Sequence, residues 1–356
     1  GLLCPYSLSI PGGVQGQVLG LARTLRSRGH EARVLGPCDG PPPAPFVTPL
    51  GKSVPAAANG SVAPLAPDPA AQLRTMRALW DEDFDVLHLH EPFAPGPCMT
   101  ALVIKPAPTI GTFHAAGESF AYKHMGAGTR FLNRRLDLRC AVSEDARQLA
   151  SSAAAGEFTL LFNGVELDRY RVGGPWPTDG PTIFFCGRHE PRKGLAVLLE
   201  AMAGLPGDVR LWVGSDGPET AALRARWAGD PRVEWLGRLS DEEKVARLRG
   251  ADVFCAPSLR GESFGVVLIE AMAAETPIVA SELPGYAHVA RAGLDAELVP
   301  PGDPRALSAA LARVLGDAGL RGRLVASGKE RAEAFSMDRL ADRYLHLYGS
   351  LVESRS

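Results

Sequence analysis

Short apolar runs alternate along this chain with segments whose apolar residues recur every three or four positions. The first run covers residues 1–6, and the segment 14–28 then places Val14, Val18 and Leu21 on one face of a predicted helix. Further strands are predicted at 31–36, 84–91, 108–114, 138–142, 158–162, 182–188, 209–213, 233–236, 251–257, 277–280 and 296–299. Further helices are predicted at 69–80, 194–203, 240–249, 304–316, 318–335 and 336–352, and another begins at Ser143. This alternation is typical of parallel sheets that are covered by helices.

The pattern occurs twice, once on each side of a Gly- and Pro-rich stretch at 173–181 that we interpret as an interdomain linker. The length of 356 residues also exceeds that of one ordinary domain. The predicted fold class is therefore α/β, with two Rossmann-like, doubly wound domains and a cleft between them. Ligands of such folds bind at the carboxyl ends of the strands.

Composition narrows the classes of function. The chain is 46% apolar and 22% charged, and its net charge of −2 gives no overall attraction to nucleic acid or anionic lipid. Its six cysteines show no CxxC pairing, so we expect reduced, buried thiols. No apolar run reaches the roughly 18 residues of a membrane span, and no signal peptide is recognisable.

The most informative stretch is 261–273, which follows the apolar strand 251–257. It predicts a loop that carries Glu262 and a helix that carries Glu270. Unpaired N–H groups and the positive dipole end at a helix start suit a phosphate. Glu262 would then face a polyol beside that phosphate and Glu270 a second diol, which is the order of sugar, diphosphate and ribose in a sugar nucleotide. The alternative is a buried crossover with solvated acids, and the spacing of the two glutamates alone favours it.

Two cations precede the predicted helix 194–203. Arg188 ends a strand and Lys193 leads into that helix, so both are candidates for holding a departing diphosphate. The alternative is a pair of solvated cations on a surface loop. The position of Arg188 at a strand end favours the functional interpretation.

Three histidines lie at predicted strand ends. His114 ends the strand 108–114 and is placed to hydrogen-bond a sugar or acceptor group, although a lone histidine is more often structural. His88 and His90 share one strand face with Glu91 beyond them, but the absence of a third ligand at clear spacing argues against a metal site. The sequence contains no P-loop, GxSxG, HExxH or kinase signature. A dinucleotide oxidoreductase is disfavoured because GxGxxG is also absent.

Together these residues make the chain resemble the retaining glycosyltransferases of family four, which have the GT-B fold. The stretch from Glu262 to Glu270 matches the EX7E motif, and residues 187–194 match the family's phosphate-clamp loop. The resemblance covers nearly the whole chain. It is closer still to the actinobacterial phosphatidyl-myo-inositol mannosyltransferases of the first mannosylation step. The segments that carry this closer resemblance are 4–7, 11–15, 59–62, 85–92, 112–114 and 255–257.

The resemblance implies roles for residues at the matching positions. The catalytic residues would be His114, Glu262, Arg188 and Lys193. The donor-binding residues would be Gly13, Arg188, Lys193, Leu239, Asp241, Lys244, Glu262, Ser263, Phe264, Gly265 and Glu270. The acceptor-binding residues would be Tyr6, Ser7, Gln15, Asn59, Gly60, Ser61 and His114.

The resemblance also implies an N-terminal acceptor domain over 1–168, to which the last helix at 337–356 returns, and a sugar-nucleotide domain over 169–336. The implied reaction moves mannose from GDP-mannose to the myo-inositol of phosphatidylinositol with retention. It proceeds by front-face attack without a protein nucleophile, and the leaving phosphate takes the acceptor proton. No cofactor is required, no metal ligand set is implied and Mg²⁺ is not indicated. The implied location is cytoplasmic, peripheral on the inner face of the plasma membrane.

Departures from the family pattern affect the acceptor. Relatives carry a dense basic cluster on an early helix that docks on anionic membrane, whereas the helix 69–80 has only Arg74 and Arg77. Ala115 stands where a hydroxyl residue is expected. A second basic run of near-helical spacing either substitutes or forms a solvated face: Arg130, Arg134, Arg135 and Arg139. The alternatives are therefore a soluble acceptor, such as a cyclitol phosphate or a natural-product aglycone, and a non-catalytic sugar-nucleotide-binding protein.

Overall fold

The computed structural model describes residues 1–58, 61–116 and 126–354. It divides into two compact units. Unit 1 is formed by Gly1–Val165 together with Met337–Ser356, and unit 2 by Glu166–Ser336. The first unit thus ends at Val165, where the sequence placed the boundary at residue 168.

Unit 1 is built on a seven-stranded sheet in the order β3-β2-β1-β6-β7-β8-β9, in which every pairing is parallel. A separate antiparallel hairpin is formed by β4 (Val54–Ala58) and β5 (Ser61–Leu65). The sheet strands are β1 (Leu2–Leu3), β2 (Val34–Gly36), β3 (Val47–Pro49), β6 (Leu87–His90), β7 (Thr109–Phe113), β8 (Leu138–Ala141) and β9 (Thr159–Leu160). The helices of this unit are α1 (Gly13–Ser27), α2 (Pro69–Asp81), α3 (Pro97–Ile104), α4 (Gly126–Asn133), α5 (Glu144–Ser151) and α14 (Met337–Glu353).

The sheet of unit 1 separates two buried clusters, because side chains alternate between the faces of a strand. Leu2 belongs to the cluster under α1 and α14, whereas Leu3 belongs to the cluster under α2 and α3. The C-terminal helix α14 is joined to the sheet unit by a hydrogen bond from the Met337 amide to the Val165 carbonyl (2.8 Å) and by the hydroxyl pair of Tyr344 and Thr112 (3.0 Å).

Unit 2 has a six-stranded parallel sheet in the order β12-β11-β10-β13-β14-β15. Its strands are β10 (Thr182–Cys186), β11 (Arg210–Gly214), β12 (Val233–Gly237), β13 (Val253–Ala256), β14 (Ile278–Ser281) and β15 (Glu297–Val299). Its α-helices are α6 (Leu167–Arg171), α7 (Leu195–Ala201), α8 (Thr220–Arg226), α9 (Asp241–Gly250), α10 (Val266–Ala273), α11 (Pro284–Ala287), α12 (Pro304–Gly316) and α13 (Ala318–Glu333), with 3₁₀ turns at Pro191–Lys193 and Met202–Gly204.

Helix starts follow the polar signals of the sequence. Ser143 and Ser240 each accept a hydrogen bond from a backbone amide in the first turn of α5 and α9, at 3.1 Å in both cases. Asp68 caps α2 in the same way, with Pro69 at the first helical position. These caps confirm that both serines begin helices.

Two interpretations of the sequence are wrong. The stretch 173–181 is part of unit 2, because the Trp176 amide bonds to the Ala246 carbonyl (2.8 Å) and its ring lies 4.1 Å from the guanidinium of Arg247. The second basic run is not one helical face either. Arg135 donates to the Leu102 carbonyl at 2.5 Å, and Arg139 donates to Asn133 at 2.6 Å, so both hold the chain around α4 and β8.

Candidate active site

Glu262 lies in the loop between β13 and α10 and is surrounded by hydrogen-bond donors. The ammonium of Lys193 donates to its Oε1 atom at 2.6 Å, and the hydroxyl of Ser258 donates to the same atom at 2.9 Å. The side chains of Lys193 and Glu262 are only 18% and 10% exposed. The structure therefore brings together two of the residues that the sequence predicted as catalytic.

The carboxyl of Glu262 is ionised at neutral pH. Burial alone would raise its pKa, but the charge and hydrogen bond of Lys193, the hydroxyl of Ser258 and the charge of Arg192 together hold the pKa below its usual value. Tyr286 shares a hydrogen bond with Ser258 (3.0 Å), and burial followed by the nearby Glu262 charge raises the pKa of this phenol well above its ordinary value. Glu262 is thus an acceptor of hydrogen bonds in a dry setting.

Cations and carboxylates alternate along the β10–α7 loop. The Arg188 guanidinium lies 3.2 Å from Glu190, which also lies 2.9 Å from Arg192, and Arg192 in turn approaches Glu262 at 3.7 Å. Arg188 remains 45% exposed, so its guanidinium is accessible from solvent while Lys193 is largely covered. Arg188 and Lys193 therefore occupy opposite ends of one charged chain.

Glycines allow the backbone around Glu262 to pack this closely. A Cβ on Gly285 would lie 1.8 Å from the carbonyl oxygen of Glu262, and one on Gly194 would lie 1.9 Å from that of Pro257. Gly265 precedes α10 with a φ of +91°, a conformation that L side chains rarely adopt. The start of α10 is therefore fixed beside the carboxylate.

Glu270 forms a second cluster one helix turn into α10. Lys244 pairs with its Oε2 atom at 2.5 Å, and the hydroxyl of Tyr170 donates to its Oε1 atom at 2.7 Å. Burial lowers the pKa of Lys244, but Glu270 and Tyr170 outweigh it and raise that pKa above its ordinary value. Burial and then Glu270 raise the pKa of Tyr170. Lys244 and Glu270, both predicted in the donor set, thus form one ion pair.

The remaining predicted donor residues of unit 2 differ in their surroundings. Asp241 is 73% exposed and lies 2.6 Å from Arg169 at the start of α9. Phe264 is buried, with its ring 6.2 Å from His288 and 5.6 Å from Phe335, so its side chain belongs to the core. Leu239 and Ser263 are half-buried. Of these four predicted donor residues, Phe264 is the one that is buried.

His114 follows directly after β7 in unit 1. Its Nε2 atom lies 2.9 Å from Nδ1 of His90, and the backbone amides of His114 and Ala115 both donate to Oε1 of Glu91 at 2.6 Å. Burial lowers the pKa of His114 to about 4, an effect that Asn163 partly offsets. His114 is therefore neutral at physiological pH, and its backbone is fixed by a carboxylate.

His88 makes a separate set of hydrogen bonds. Its Nδ1 atom meets the Tyr348 hydroxyl at 2.7 Å and its Nε2 atom meets the Thr112 hydroxyl at 2.7 Å. Among the residues that the structure describes, no group of three His, Cys, Asp or Glu side chains is arranged to hold a metal ion. His88 thus links the sheet to α14.

Two of the predicted acceptor residues near β1, Ser7 and Gln15, contact each other. Nε2 of Gln15 points to the Ser7 carbonyl at 3.4 Å, and Tyr6 pairs with Leu65 of β5 through an isolated bridge. Gly13 opens α1, where an added Cβ would meet nothing within 4 Å. Ser61 begins β5, whereas Asn59 and Gly60 lie outside the described residues.

Sequence reasoning did not select Ser258, Tyr286 or Tyr170. Ser258 and Tyr170 each donate to a predicted carboxylate and Tyr286 contacts Ser258, yet Tyr170 stands 100 positions from Glu270 in the chain. The one available signal was the position of Ser258 two residues after the end of β13, at the edge where ligands bind. The arrangement as a whole suits a phosphate held by cations and a helix start, with polyols held by carboxylates.

Two family models match the chain: Glycosyltransferase Family 4 over residues 11–169 and Glycosyl transferases group 1 over residues 180–317. The phosphatidyl-myo-inositol mannosyltransferase of Mycobacterium leprae is 40% identical over 367 residues, covering 100% of this chain and 98% of that protein. This chain belongs to the phosphatidyl-myo-inositol mannosyltransferase family. The family resemblance and the expectation of a hexosyltransferase are thereby confirmed.

A second relative supports the family assignment, and two solved structures support the fold. The Mycolicibacterium smegmatis phosphatidyl-myo-inositol mannosyltransferase is 39% identical over 98% of this chain and 92% of its own length. Anabaena HepE in complex with UDP and glucose superposes with a TM-score of 0.77 at 18% identity, covering 98% of this chain and 99% of that chain. Sucrose-phosphate synthase from Thermosynechococcus elongatus gives 0.76 at 20% identity, covering 99% and 98%. These likenesses confirm the GT-B fold.

Proposed function

We propose that this protein transfers mannose from GDP-mannose to the myo-inositol of phosphatidylinositol, with retention of configuration. The observation that carries the proposal is the ionised Glu262, bonded to Lys193 at the start of α10. Membership in the phosphatidyl-myo-inositol mannosyltransferase family supports the sugar and the acceptor. In this proposal α10 and the β10–α7 loop hold the donor diphosphate.

The geometry of unit 2 suggests a division of labour. Negative charge builds on the leaving diphosphate in the transition state, and Arg188, Lys193 and the α10 start supply positive potential there. Because Glu262 is ionised, and the hydrogen bonds from Lys193 and Ser258 both go to its Oε1 atom, its carboxylate suits sugar hydroxyls as an acceptor and is unsuited to donating a proton. Glu270 would accept hydrogen bonds from the ribose in the same way. The proton of the acceptor hydroxyl then passes to the leaving phosphate oxygen.

Turnover of radiolabelled GDP-mannose with vesicles that contain phosphatidylinositol tests this proposal. We expect the label to enter the lipid fraction and expect Glu262→Gln to remove most of that transfer. Vesicles of phosphatidylcholine alone serve as the control. Transfer to soluble inositol phosphate without any transfer to the lipid would overturn the acceptor assignment.

A second candidate acceptor is a soluble cyclitol phosphate. The D-inositol 3-phosphate glycosyltransferase of Xylanimonas cellulosilytica is 36% identical over 52% of this chain and 46% of its own length. The helix α2 also offers few cations for an anionic surface, and Arg77 is paired with Asp81 at 3.2 Å. Parallel assays with both acceptors separate the two candidates.

The proposed location is the inner face of the plasma membrane. No helix in the described part of the chain is long and apolar enough to cross a bilayer. Flotation with phosphatidylinositol vesicles tests peripheral association directly.

For the donor, a thermal-shift comparison of GDP, UDP and ADP should show the largest stabilisation with GDP, since a ligand that binds only the folded state stabilises it according to its affinity. A larger shift with UDP would overturn the choice of guanine.

A further inference from the structure

His90 is a buried residue that the proposed reaction leaves without a role. Its ring lies between two other imidazoles, with centroids 4.2 Å from His88 and 5.1 Å from His114. Its Nδ1 atom is 2.9 Å from Nε2 of His114. One side chain that contacts the ring of the candidate catalytic histidine is thus another histidine.

A hydrogen bond between two imidazole nitrogens requires one N–H group and one lone pair. Burial, the largest cause, lowers the pKa of both rings, so both are neutral and each carries one proton. Only two arrangements are then available. Either His90 donates from Nδ1 to His114, or His114 donates from Nε2 to His90.

The other nitrogen of His90 distinguishes these arrangements. Within the described residues, Nε2 of His90 is buried and has no hydrogen-bond partner. If His90 accepted through Nδ1, its proton would sit on Nε2 as an orphaned buried donor. Orphaned buried N–H groups are rarer than under-satisfied acceptors. If His90 donates through Nδ1, its Nε2 atom carries only a lone pair without a donor. The arrangement in which His90 donates is therefore favoured.

The consequence concerns what His114 offers a ligand. When Nε2 of His114 accepts from His90, the single proton of its ring sits on Nδ1. The side chain of Asn163 also approaches this ring and raises its pKa, but within the described residues the buried Oδ1 atom of Asn163 accepts no hydrogen bond. The Glu91 carboxylate already fixes the backbone of His114. The contact with His90 therefore adds control over which ring nitrogen of His114 carries the proton.

We propose that His90 is a positioning residue that holds His114 in the Nδ1–H tautomer, so that His114 donates a hydrogen bond to a substrate oxygen and does not take its proton. The oxygen concerned belongs to a sugar or cyclitol hydroxyl, and this part rests on the proposed function. No bond to the substrate is made or broken by His114. It orients an oxygen while the leaving phosphate receives the proton.

Nitrogen NMR of the histidine-labelled wild type tests the tautomer without any substrate. The His114 signals, assigned by their loss in His114→Gln, should show a protonated Nδ1 and an unprotonated Nε2. His90→Asn should keep that pattern, because the asparagine amide nitrogen takes the place of Nδ1. His90→Asp replaces the donor by an acceptor and should protonate Nε2 of His114. A wild-type proton on Nε2 would overturn the proposal.

Activity then tests the role. We expect His90→Asn to retain kcat/KM within about threefold and His90→Phe, which keeps a ring but donates nothing, to lose roughly tenfold, the usual effect of one hydrogen bond. Equal activity of the two variants at equal melting temperature would overturn the positioning role. If wild type transfers no mannose to either acceptor while the NMR pattern holds, the proposed function fails and the tautomer assignment stands.

Discussion

Burial, and not distance, distinguishes the ion pair of the candidate site from pairs on the surface. The ammonium of Lys193 lies 2.6 Å from Glu262, and that of Lys329 lies 2.6 Å from Glu275. The second pair is 52% and 43% exposed, so water screens it and its net contribution to stability is small. At Glu262, removal of the Lys193 ammonium would leave a carboxylate in a dry loop with only the more distant Arg192, at 3.7 Å, to compensate its charge.

Lys193→Met should therefore reduce kcat strongly. We expect a loss of about 10²–10³, the usual effect of removing one group that stabilises developing charge. Lys329→Met is the matched control, because it breaks a pair of equal length, and it should leave kcat within about twofold. Steady-state mannosyl transfer measures both. Comparable kcat values for the two variants would contradict the role of Lys193.

Tyr170→Phe should weaken donor binding with little effect on the chemical step. The variant loses the 2.7 Å hydrogen bond to Glu270 and keeps the ring. A hydrogen bond to a charged group contributes about 1.5–3 kcal/mol, so the Kd for GDP should rise about tenfold or more while kcat changes within about twofold. Titration calorimetry measures this Kd. Tyr348→Phe, which loses its bond to His88 instead, should leave it unchanged, and an equal effect of both would argue against the Glu270 cluster as the ribose site.

At the scale of elements, most of the order of strands and helices followed from the pattern of apolar residues, whereas the short helices α6, α8 and α11 were not predicted. The helix α3 was not predicted either, because its sequence from Pro97 to Ile104 has almost no polar face from which a period could be read. The pattern of apolar residues also did not predict the hairpin of β4 and β5. Its antiparallel pairing depends on the partner strand, which a local pattern does not specify.

Gly285→Ala should disrupt the close packing of α11 against the backbone of the loop that carries Glu262. The new Cβ would lie 1.8 Å from a backbone oxygen, which no side-chain rotation relieves. We expect a loss of about 3 kcal/mol of stability together with reduced transfer. Gly322→Ala is the control, because this exposed position in α13 has nothing within 4 Å, and it should raise stability by about 0.5–1 kcal/mol. Urea denaturation measures both, and unchanged stability of Gly285→Ala would contradict the close approach.

For the whole molecule, the buried histidines should make stability depend on pH. His88, His90 and His114 have pKa values lowered, mainly by burial, below the ordinary value of 6.5, and that of His114 falls to about 4. Between pH 6.5 and about 4 the unfolded chain therefore binds more protons than the folded one. The free energy of unfolding should fall as pH is lowered through that window, by up to roughly 1.4 kcal/mol per pH unit for each histidine.

Urea midpoints at about pH 7.5, 6.5 and 5.5 measure this dependence. His114→Gln should reduce the slope between the two lower values, whereas His346→Gln, at an exposed position of α14, should leave it unchanged. An unaltered slope in His114→Gln would show that His114 does not stay neutral in the folded protein.

The sequence by itself determined the α/β class, the two sheets and the residues Glu262, Glu270, Arg188 and Lys193, because strand and helix periods and motif spacing are local properties of the chain. Only the tertiary structure decided which partners these residues have. Ser258 and Tyr170 donate to the two carboxylates, Tyr286 contacts Ser258, and His90 contacts His114. Apart from Ser258 and Glu262, which are four positions apart, the residues of these pairs are separated by 24 to 100 positions in the chain. Such contacts depend on sheet order and burial, and burial also sets the charge state of each group.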